Sequence, residues 1–219
     1  MKTPVTKDTL RNHFTYSWWK YLLLCVIGVV GWNLVFTMTA YRPPEDKKVD
    51  FIVSALGEQT VFDAYLEDLR LNDMPEMEQM RSIFLTMDSA YAPMQLSTYI
   101  AAGEGDIYLL KKDQFYSYAK EGAYLPLEDY PELMALAESM DIDLSKAWRT
   151  VQDTGEKHLF GIPASALPGL AQYMYLDGDC YLSVVINSGN NDNAVRVLCI
   201  MMQDLAKLPE PATPTELSE

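Results

Sequence analysis

An uncharged apolar run near the N-terminus constrains this chain more than any other feature. The segment Tyr21–Ala40 holds 20 residues without a formal charge. That length suits a helix crossing the hydrocarbon core of a membrane, which is roughly 30 Å thick. Trp18, Trp19 and Tyr41 flank the run, at positions where aromatic rings favour the membrane–water interface. The sequence therefore predicts a transmembrane helix over residues 18–41 rather than the buried helix of a soluble protein.

The charges on either side of this run predict its orientation. The head, residues 1–17, carries Lys2, Lys7 and Arg11 against Asp8, whereas the charges that follow the run are mixed in sign. Basic residues concentrate on the cytoplasmic side of membrane proteins. We therefore predict a single-pass protein of the cell membrane, with a cytoplasmic N-terminus and the bulk of the chain outside the cytoplasm.

A cleaved signal peptide is the alternative for the same run. The apolar core of such peptides is usually shorter, about 7–15 residues. Met38 and Ala40 do not form the small-residue cleavage pattern, and Leu24 is bulky where a lipoprotein signal needs a small residue before Cys25. The sequence favours an uncleaved anchor.

The remainder of the chain is strongly acidic. From residue 51 onward, 10 Lys and Arg stand against 27 Asp and Glu, so this part carries a net charge of −17, whereas the whole chain has −14. Such a surface repels polyanions and excludes nucleic acid as a partner.

Residues 42–48 form a short linker stiffened by two prolines, and residues 49–206 alternate strand-like and helix-like segments. We predict strands at Val49–Ala55, Arg81–Met87, Asp106–Leu110, His158–Ile162, Tyr173–Leu176 and Tyr181–Ile186. Apolar spacing and Pro/Gly boundaries predict helices at Gln59–Leu71, Tyr91–Ala102, Gln114–Glu121, Glu132–Met140, Leu144–Arg149 and Ala194–Leu205. This alternation indicates an α/β fold, a single three-layer lobe with a mixed, mostly parallel sheet. The tail, residues 207–219, is rich in Pro and Glu, so we expect it to be disordered.

Four short motifs occur in order along this lobe. They are Gly105-Asp106-Ile107-Tyr108, Leu125-Pro126-Leu127-Glu128-Asp129, Phe160-Gly161-Ile162-Pro163 and Asn191-Asp192-Asn193-Ala194. In this order they resemble the first lobe of bacterial extracellular solute-binding proteins of ABC importers, the sugar-binding type. The resemblance covers most of residues 49–205. It implies a periplasmic-binding-protein-like lobe that binds a ligand without catalysing a reaction.

The second lobe of that family is missing from this chain. Pro163 and Asn191 are 28 residues apart, fewer than the roughly 30 residues of one βαβ unit. Proteins of this type close two lobes around a ligand by a hinge motion. We therefore predict a one-lobed, membrane-anchored relative without an enclosed sugar site.

The resemblance places a surviving ligand site at the carboxyl ends of the strands, the edge where open α/β sheets bind ligands. This edge includes the loops after Ala55 and Met87 and the Ala164–Gly169 segment. The candidate ligand-binding residues are Gly57, Glu58, Asp88, Ser89 and Tyr91. The many tyrosines of the lobe would suit contacts with a sugar or peptide, or they pack as half-buried core residues.

Motifs for catalysis and for metal binding are absent from the sequence. The neighbours of His158 indicate an edge strand, and no Gly-x-Ser-x-Gly elbow or dinucleotide-binding glycine pattern occurs. Asp177 and Asp179 could bind calcium, but they lack the EF-hand order and are typical turn residues. Cys180 and Cys199 either pair outside the cytoplasm or are buried thiols. We predict no enzyme activity, no cofactor and no metal.

Two functions remain open. The first is a membrane-tethered, non-enzymatic binding or interaction module, which holds a weak small-molecule ligand or docks onto a protein of a membrane complex. The second is the substrate-binding component of an ABC importer for a sugar or peptide, with the missing lobe supplied by a partner or a dimer mate.

Overall fold

The computed structural model describes residues 7–85 and 91–207, and the chain divides into two compact units between residues 42 and 43. The first unit contains one long helix, α1 (Lys7–Thr39). Its stretch Ser17–Thr39 contains an 18-residue window with a mean hydropathy of 2.1 and is long and apolar enough to cross a membrane. By length and composition, this helix fits either a membrane anchor or a signal sequence.

The second unit is an α/β lobe. Its helices are α2 (Gln59–Asp73), α3 (Ala92–Ala102), α4 (Lys112–Lys120), α5 (Pro131–Ser139) and α6 (Asn191–Leu205). Its strands are β1 (Lys48–Val53), β2 (Leu56–Gly57), β3 (Gln79–Phe84), β4 (Ile107–Lys111), β5 (Trp148–Thr150), β6 (Lys157–Leu159), β7 (Ile162–Pro163), β8 (Met174–Tyr175) and β9 (Cys180–Val184).

A five-stranded sheet in the order β3-β1-β4-β9-β7 forms the centre of the lobe. Strands β3, β1 and β4 are parallel, whereas β9 is antiparallel to both of its neighbours. Residues 49–53 of β1 are all buried, as expected for a central strand that is covered on both faces. Because β3 and β4 lie on opposite sides of β1 and such crossovers are right-handed, α2 and α3 cover opposite faces. The predicted α/β fold with a mixed sheet is confirmed.

The last helix fastens the C-terminal part of the chain to the start of the first strand. The side-chain nitrogen of Asn190 donates a hydrogen bond to the carbonyl of Lys48 at 2.6 Å, and that of Asn193 donates to the carbonyl of Asp46 at 3.1 Å. One face of α6 is buried in the core, including Leu198, Met201 and Met202. This packing closes a single core around the sheet.

Three local predictions need correction. The segment predicted as a helix at Leu144–Arg149 forms a turn followed by β5, because its backbone pairs with β6, which places Leu159 in the core. The predicted strand His158–Ile162 is interrupted between β6 and β7. No strand is predicted between Ala55 and Gln59, yet Leu56 and Gly57 form strand β2, which pairs with β8.

Candidate functional site

A cleft with a volume of 720 Å³ lies at the carboxyl edge of the parallel strands. Cys180, the first residue of β9, pairs with Lys111, the last residue of β4, and Tyr181 pairs with Pro163 at the end of β7. These pairings bring the start of β9 and the end of β7 to the edge where β4 ends. Ligand pockets commonly have volumes of about 300–1,000 Å³ and favour this edge of an α/β sheet.

Three segments that are distant in sequence form most of the cleft walls, and Ala206, directly after α6, completes the lining. The turn after α5 contributes Met140, Asp141, Ile142, Asp143 and Lys146. A short helical turn after β7 contributes Ala164, Ser165 and Ala166. The segment that leads into β9 contributes Leu176, Gly178, Asp179, Cys180 and Tyr181. Apolar side chains and carboxylates therefore share one cavity.

Local hydrogen bonds fix the acidic turn. The carboxylate of Asp143 accepts a hydrogen bond from the backbone nitrogen of Ser145 at 2.9 Å. Hydrogen bonds from the side chain and backbone of Ser145 hold the pKa of Asp143 below its ordinary value, so this carboxylate is ionised. Asp141 adopts a left-handed backbone conformation with φ of 53°, which aspartate tolerates better than most residues.

A stacked aromatic cluster supports the wall formed by β9. The ring of Tyr181 stacks on that of Phe115 with 4.5 Å between the ring centroids, and it lies 5.9 Å from the ring of Tyr116. The guanidinium of Arg149 lies 3.5 Å from the centroid of the Tyr116 ring, a cation–π contact that joins β5 to α4. Burial, together with a hydrogen bond that the Tyr181 hydroxyl donates to Tyr116, raises the pKa of Tyr181. Tyr181 is therefore a neutral, structural side chain at the base of the cleft.

Of the predicted ligand-binding residues, Gly57, Glu58 and Tyr91 are described by the structure, and they lie at the same edge of the sheet but outside this lining. Gly57 belongs to β2 and pairs with Met174, and Glu58 follows it at the start of α2. Tyr91 is 72% exposed and lines a shallow depression of 450 Å³ along α3. Asp88 and Ser89 lie outside the described residues. Strand β8 connects the predicted loop to the cleft, because Met174 pairs with Gly57 and the nearby Leu176 lines the cleft.

Sequence reasoning assigned no role to the Asp141-Ile142-Asp143 turn or to Lys146. The sequence did contain a signal for this part of the cleft, namely the two closely spaced carboxylates that follow the predicted helix Glu132–Met140. The segment from residue 144 was interpreted as a helix, and Asp179 was considered only for calcium and turn formation. Within residues 7–85 and 91–207, no group of three or more His, Cys, Asp or Glu side chains could hold a metal ion.

The histidine and the cysteines of the lobe are the other candidate functional groups considered from the sequence. The Nδ1 atom of His158 lies 2.6 Å from Oε1 of Glu128, whose other oxygen accepts a hydrogen bond from the backbone nitrogen of Leu159 at 2.9 Å. This arrangement fastens β6 to the Leu127–Asp129 turn. Cys180 and Cys199 are free thiols, and burial raises the pKa of each.

No protein-family model matches this sequence, and no curated protein matches it. The similar solved structures include a family 1 extracellular solute-binding protein from Alicyclobacillus acidocaldarius, with 20% identity, a TM-score of 0.42, and coverage of 57% of this chain and 29% of that chain. The lacto-N-biose-binding protein of an ABC transporter from Bifidobacterium longum has 13% identity, a TM-score of 0.38, and coverage of 56% and 29%. An N-glycan transport solute-binding protein from Streptococcus pneumoniae has 15% identity, a TM-score of 0.32, and coverage of 55% and 25%.

These neighbours are extracellular solute-binding proteins. The matches cover about half of this chain, and the chain spans less than a third of the length of each neighbour.

Proposed function

We propose that this protein is a membrane-tethered, non-enzymatic binding module, in which one extracytoplasmic lobe presents a ligand- or partner-binding edge. The observation that carries this proposal is the 720 Å³ cleft at the carboxyl edge of a single α/β lobe. The motif resemblance to solute-binding proteins and the apolar helix Ser17–Thr39 support the same function. The proposed organisation is a cytoplasmic head at 1–17, a span at 18–41, a linker at 42–48, the lobe at 49–206 and a tail at 207–219. Residues 1–6 and 208–219 lie outside the described residues, so the disorder of the tail stays a prediction from its composition.

The chemistry of the cleft favours binding over catalysis. Its thiol, Cys180, has a raised pKa, so it is held as the weakly nucleophilic protonated form. His158, the histidine of the lobe, is held by Glu128 in a structural contact. A nucleophile activated by a neighbouring base needs those groups within hydrogen-bonding distance, and the hydrogen bonds of His158 serve the β6 attachment instead.

The ligand-binding residues predicted from the sequence are included in this proposal. They would form the outer part of the same carboxyl edge of the sheet. Gly57 and Glu58 adjoin the cleft through β8, and Tyr91 presents an exposed ring at the start of α3. We propose that Gly57, Glu58, Asp88, Ser89 and Tyr91 form a contact surface beside the cleft.

Accessibility labelling of intact cells tests the membrane topology. In a variant with Cys25, Cys180 and Cys199 changed to Ser, a single cysteine is introduced at Asp153, which is exposed in the lobe. A membrane-impermeant maleimide is expected to label Asp153→Cys in intact cells, and Thr3→Cys only after lysis. Labelling of Asp153→Cys only after lysis would refute an extracytoplasmic lobe. Recovery of the labelled chain at its full mass of 24.8 kDa in the membrane fraction would distinguish an anchor from a cleaved signal sequence.

The importer component is the second candidate, because the four ordered motifs resemble binding proteins of ABC importers. A ligand that binds only the folded state raises its thermal stability by mass action. A panel of sugars and short peptides therefore separates the two functions. A rise in melting temperature of several degrees with one simple sugar would favour the importer component over the interaction module.

A further inference from the structure

We propose that the cleft binds a protonated amine or guanidinium carried on an apolar body. This group belongs either to a free small molecule or to a Lys or Arg side chain within an extended segment of a partner protein. The proposal rests on the proposed function of the lobe as a binding module, and it adds the chemical class of the ligand.

The charged groups of the cleft are unequal in number. Its lining contains the carboxylates of Asp141, Asp143 and Asp179 against the single ammonium of Lys146. Concave sites with walls of low dielectric constant concentrate the field of such groups. The cleft therefore attracts a cation, and the acidity of the surrounding lobe adds to this attraction.

The carboxylates of the cleft form few hydrogen bonds and ion pairs within the protein itself. Asp141 forms no side-chain hydrogen bond or ion pair with any residue that the structure describes. One oxygen of Asp143 accepts the hydrogen bond from Ser145, which orients the carboxylate. Asp179 lies 3.7 Å from the ammonium of Lys112, and both side chains are about half exposed. Such an exposed pair contributes little to stability, so Asp179 retains capacity for a second cation.

The apolar part of the lining explains why a small hydrated ion is a poor fit. Met140, Ile142, Leu176 and Ala164 lie in the same cavity as the carboxylates. Burial of an apolar body against them contributes roughly 25 cal/mol for each Å² removed from water. A ligand with one cationic end and one apolar end satisfies both parts of the cleft.

The buried groups of the cleft argue against a neutral sugar. The aromatic residue in its lining, Tyr181, is 2% exposed and stacked on Phe115, so it offers no free ring face for stacking against a sugar. Cys180, another lining residue, is 4% exposed and is a free thiol. A soft, weakly polar thiol pairs better with an alkyl or aryl group than with a hydroxyl.

Calorimetric titration of the full chain in detergent micelles tests this proposal with matched probes. 2-Phenylethylamine carries the predicted cation on an apolar body, 2-phenylethanol is its neutral counterpart, and maltose is a neutral sugar. Acetyl-Phe-Lys-Phe-amide presents the same cation within a peptide, and its acetyl-lysine analogue is the neutral control. We expect binding of the amine and of the lysine peptide, with little binding of the neutral probes. A stronger affinity for the peptide than for the free amine would identify a partner segment as the source.

Charge-removing variants locate the binding. Asp141→Asn together with Asp179→Asn is expected to weaken amine binding by about tenfold, because two attractive charges are lost at nearly constant shape. Asp153→Asn removes the same kind of charge from an exposed turn outside the cleft and is expected to leave the affinity unchanged. Binding in the unaltered chain is also expected to weaken as salt is raised.

Two outcomes would overturn the inference, each with a different consequence. If maltose binds and the amines do not, the ligand class is wrong and the importer component gains support. If no probe binds, or if Asp153→Asn weakens binding as much as the double variant, the cleft is not a cation site. The topology labelling described above would still decide the proposed membrane-tethered arrangement independently.

Discussion

Asp106 and the backbone of Asp50 form a reciprocal pair of hydrogen bonds at the amino end of the parallel strands. Oδ2 of Asp106 accepts a hydrogen bond from the backbone nitrogen of Asp50 at 2.8 Å, and the backbone nitrogen of Asp106 donates to the carbonyl of Asp50 at 2.8 Å. This pair joins β1 to β4. It also gives a physical reason for the Gly105-Asp106 motif, because the side chain extends the pairing of the strands beyond their regular ladder.

Burial of this carboxyl group makes the lobe sensitive to pH. Burial raises the pKa of Asp106 to about 6, although the hydrogen bond from Asp50 opposes the shift. In the unfolded chain the group has its ordinary pKa, 3.8. Between these values the folded state holds more protons than the unfolded state, so stability falls as pH rises from 4 to 6. The contribution of this one group is at most about 3 kcal/mol.

The Asp106→Asn variant isolates this effect, because Asn keeps an oxygen that can accept the hydrogen bond from Asp50 but cannot titrate. We expect the stability difference between the variant and the unaltered protein to change by up to about 3 kcal/mol between pH 4 and pH 7. Urea unfolding of the full chain in detergent micelles at several pH values measures this difference. Parallel curves for the two proteins would contradict the assignment to Asp106.

The lobe is expected to fold without the apolar helix. Residues 43–219 form one compact unit with its own core, which includes Ile52, Phe62 and Leu182. The fragment 43–219 should therefore be soluble and unfold in a single cooperative transition, as single-core domains usually do. Circular dichroism during heating measures the transition. A broad, non-cooperative loss of signal would show that the lobe needs the N-terminal unit for folding.

Strand β3 is an edge strand of the sheet, and side chains from α2 cover its outer edge. Oδ1 of Asp63 accepts hydrogen bonds from the backbone nitrogen of Ser82 at 2.6 Å and from its hydroxyl at 2.7 Å, while Gln59 donates to the carbonyl of Ser82 at 2.7 Å. Since Ser82 is fully buried, Asp63→Ala leaves its donors unsatisfied, at a cost of about 1–3 kcal/mol. It also frees an edge for pairing with other chains.

Urea unfolding and light scattering of the Asp63→Ala variant test both consequences. Asp68→Ala, which removes an exposed carboxylate from the same helix, is the matched control. We expect lower stability and some self-association for Asp63→Ala and neither change for Asp68→Ala. Equal behaviour of the two variants would rule out edge protection by Asp63.

The contact between His158 and Glu128 predicts a second titration. The hydrogen bond to Glu128 raises the pKa of His158 above its ordinary value of 6.5. Its stabilising contribution is therefore complete below pH 6.5 and is lost as pH rises through the higher value of the folded state. His158 is the only histidine of residues 43–219, so its ring signals in an NMR titration are unambiguous. Glu128→Gln is expected to lower the midpoint, and an unchanged midpoint would contradict this pairing.

Local signals in the sequence sufficed for the elements whose boundaries are set by their own residues. Helix α3 was predicted at Tyr91–Ala102 and begins one residue later. The prediction was close because Pro93 suits the first turn of a helix and Gly103 supplies a left-handed end with φ of 66°. The segment Leu144–Arg149 was misassigned because short apolar runs suit a helix or a strand equally. Pairing with β6 makes the end of this segment a strand, β5.

The cleft was harder to foresee than the fold. The order of the parallel strands indicates the edge at which a ligand site lies. The residues that line the cleft depend on antiparallel pairing of β9 with β4 and on the path of the chain after α5. Asp141 and Asp179 are distant in sequence, and no periodic pattern connects them. Only the tertiary packing brings them to one cavity.

Gly105 is expected to tolerate substitution poorly, for two separable reasons. Its φ of 81° disfavours any other residue, and an added Cβ would lie 2.6 Å from Cγ1 of the buried Ile52. Gly155 has a similar φ of 74°, but its Cβ would meet nothing within 4 Å. Gly155→Ala should therefore cost about 1–2 kcal/mol from backbone strain alone. Gly105→Ala should cost about 1–3 kcal/mol more, because β1 must shift to relieve the overlap. Urea unfolding measures both variants, and equal losses would show that Ile52 moves aside without cost.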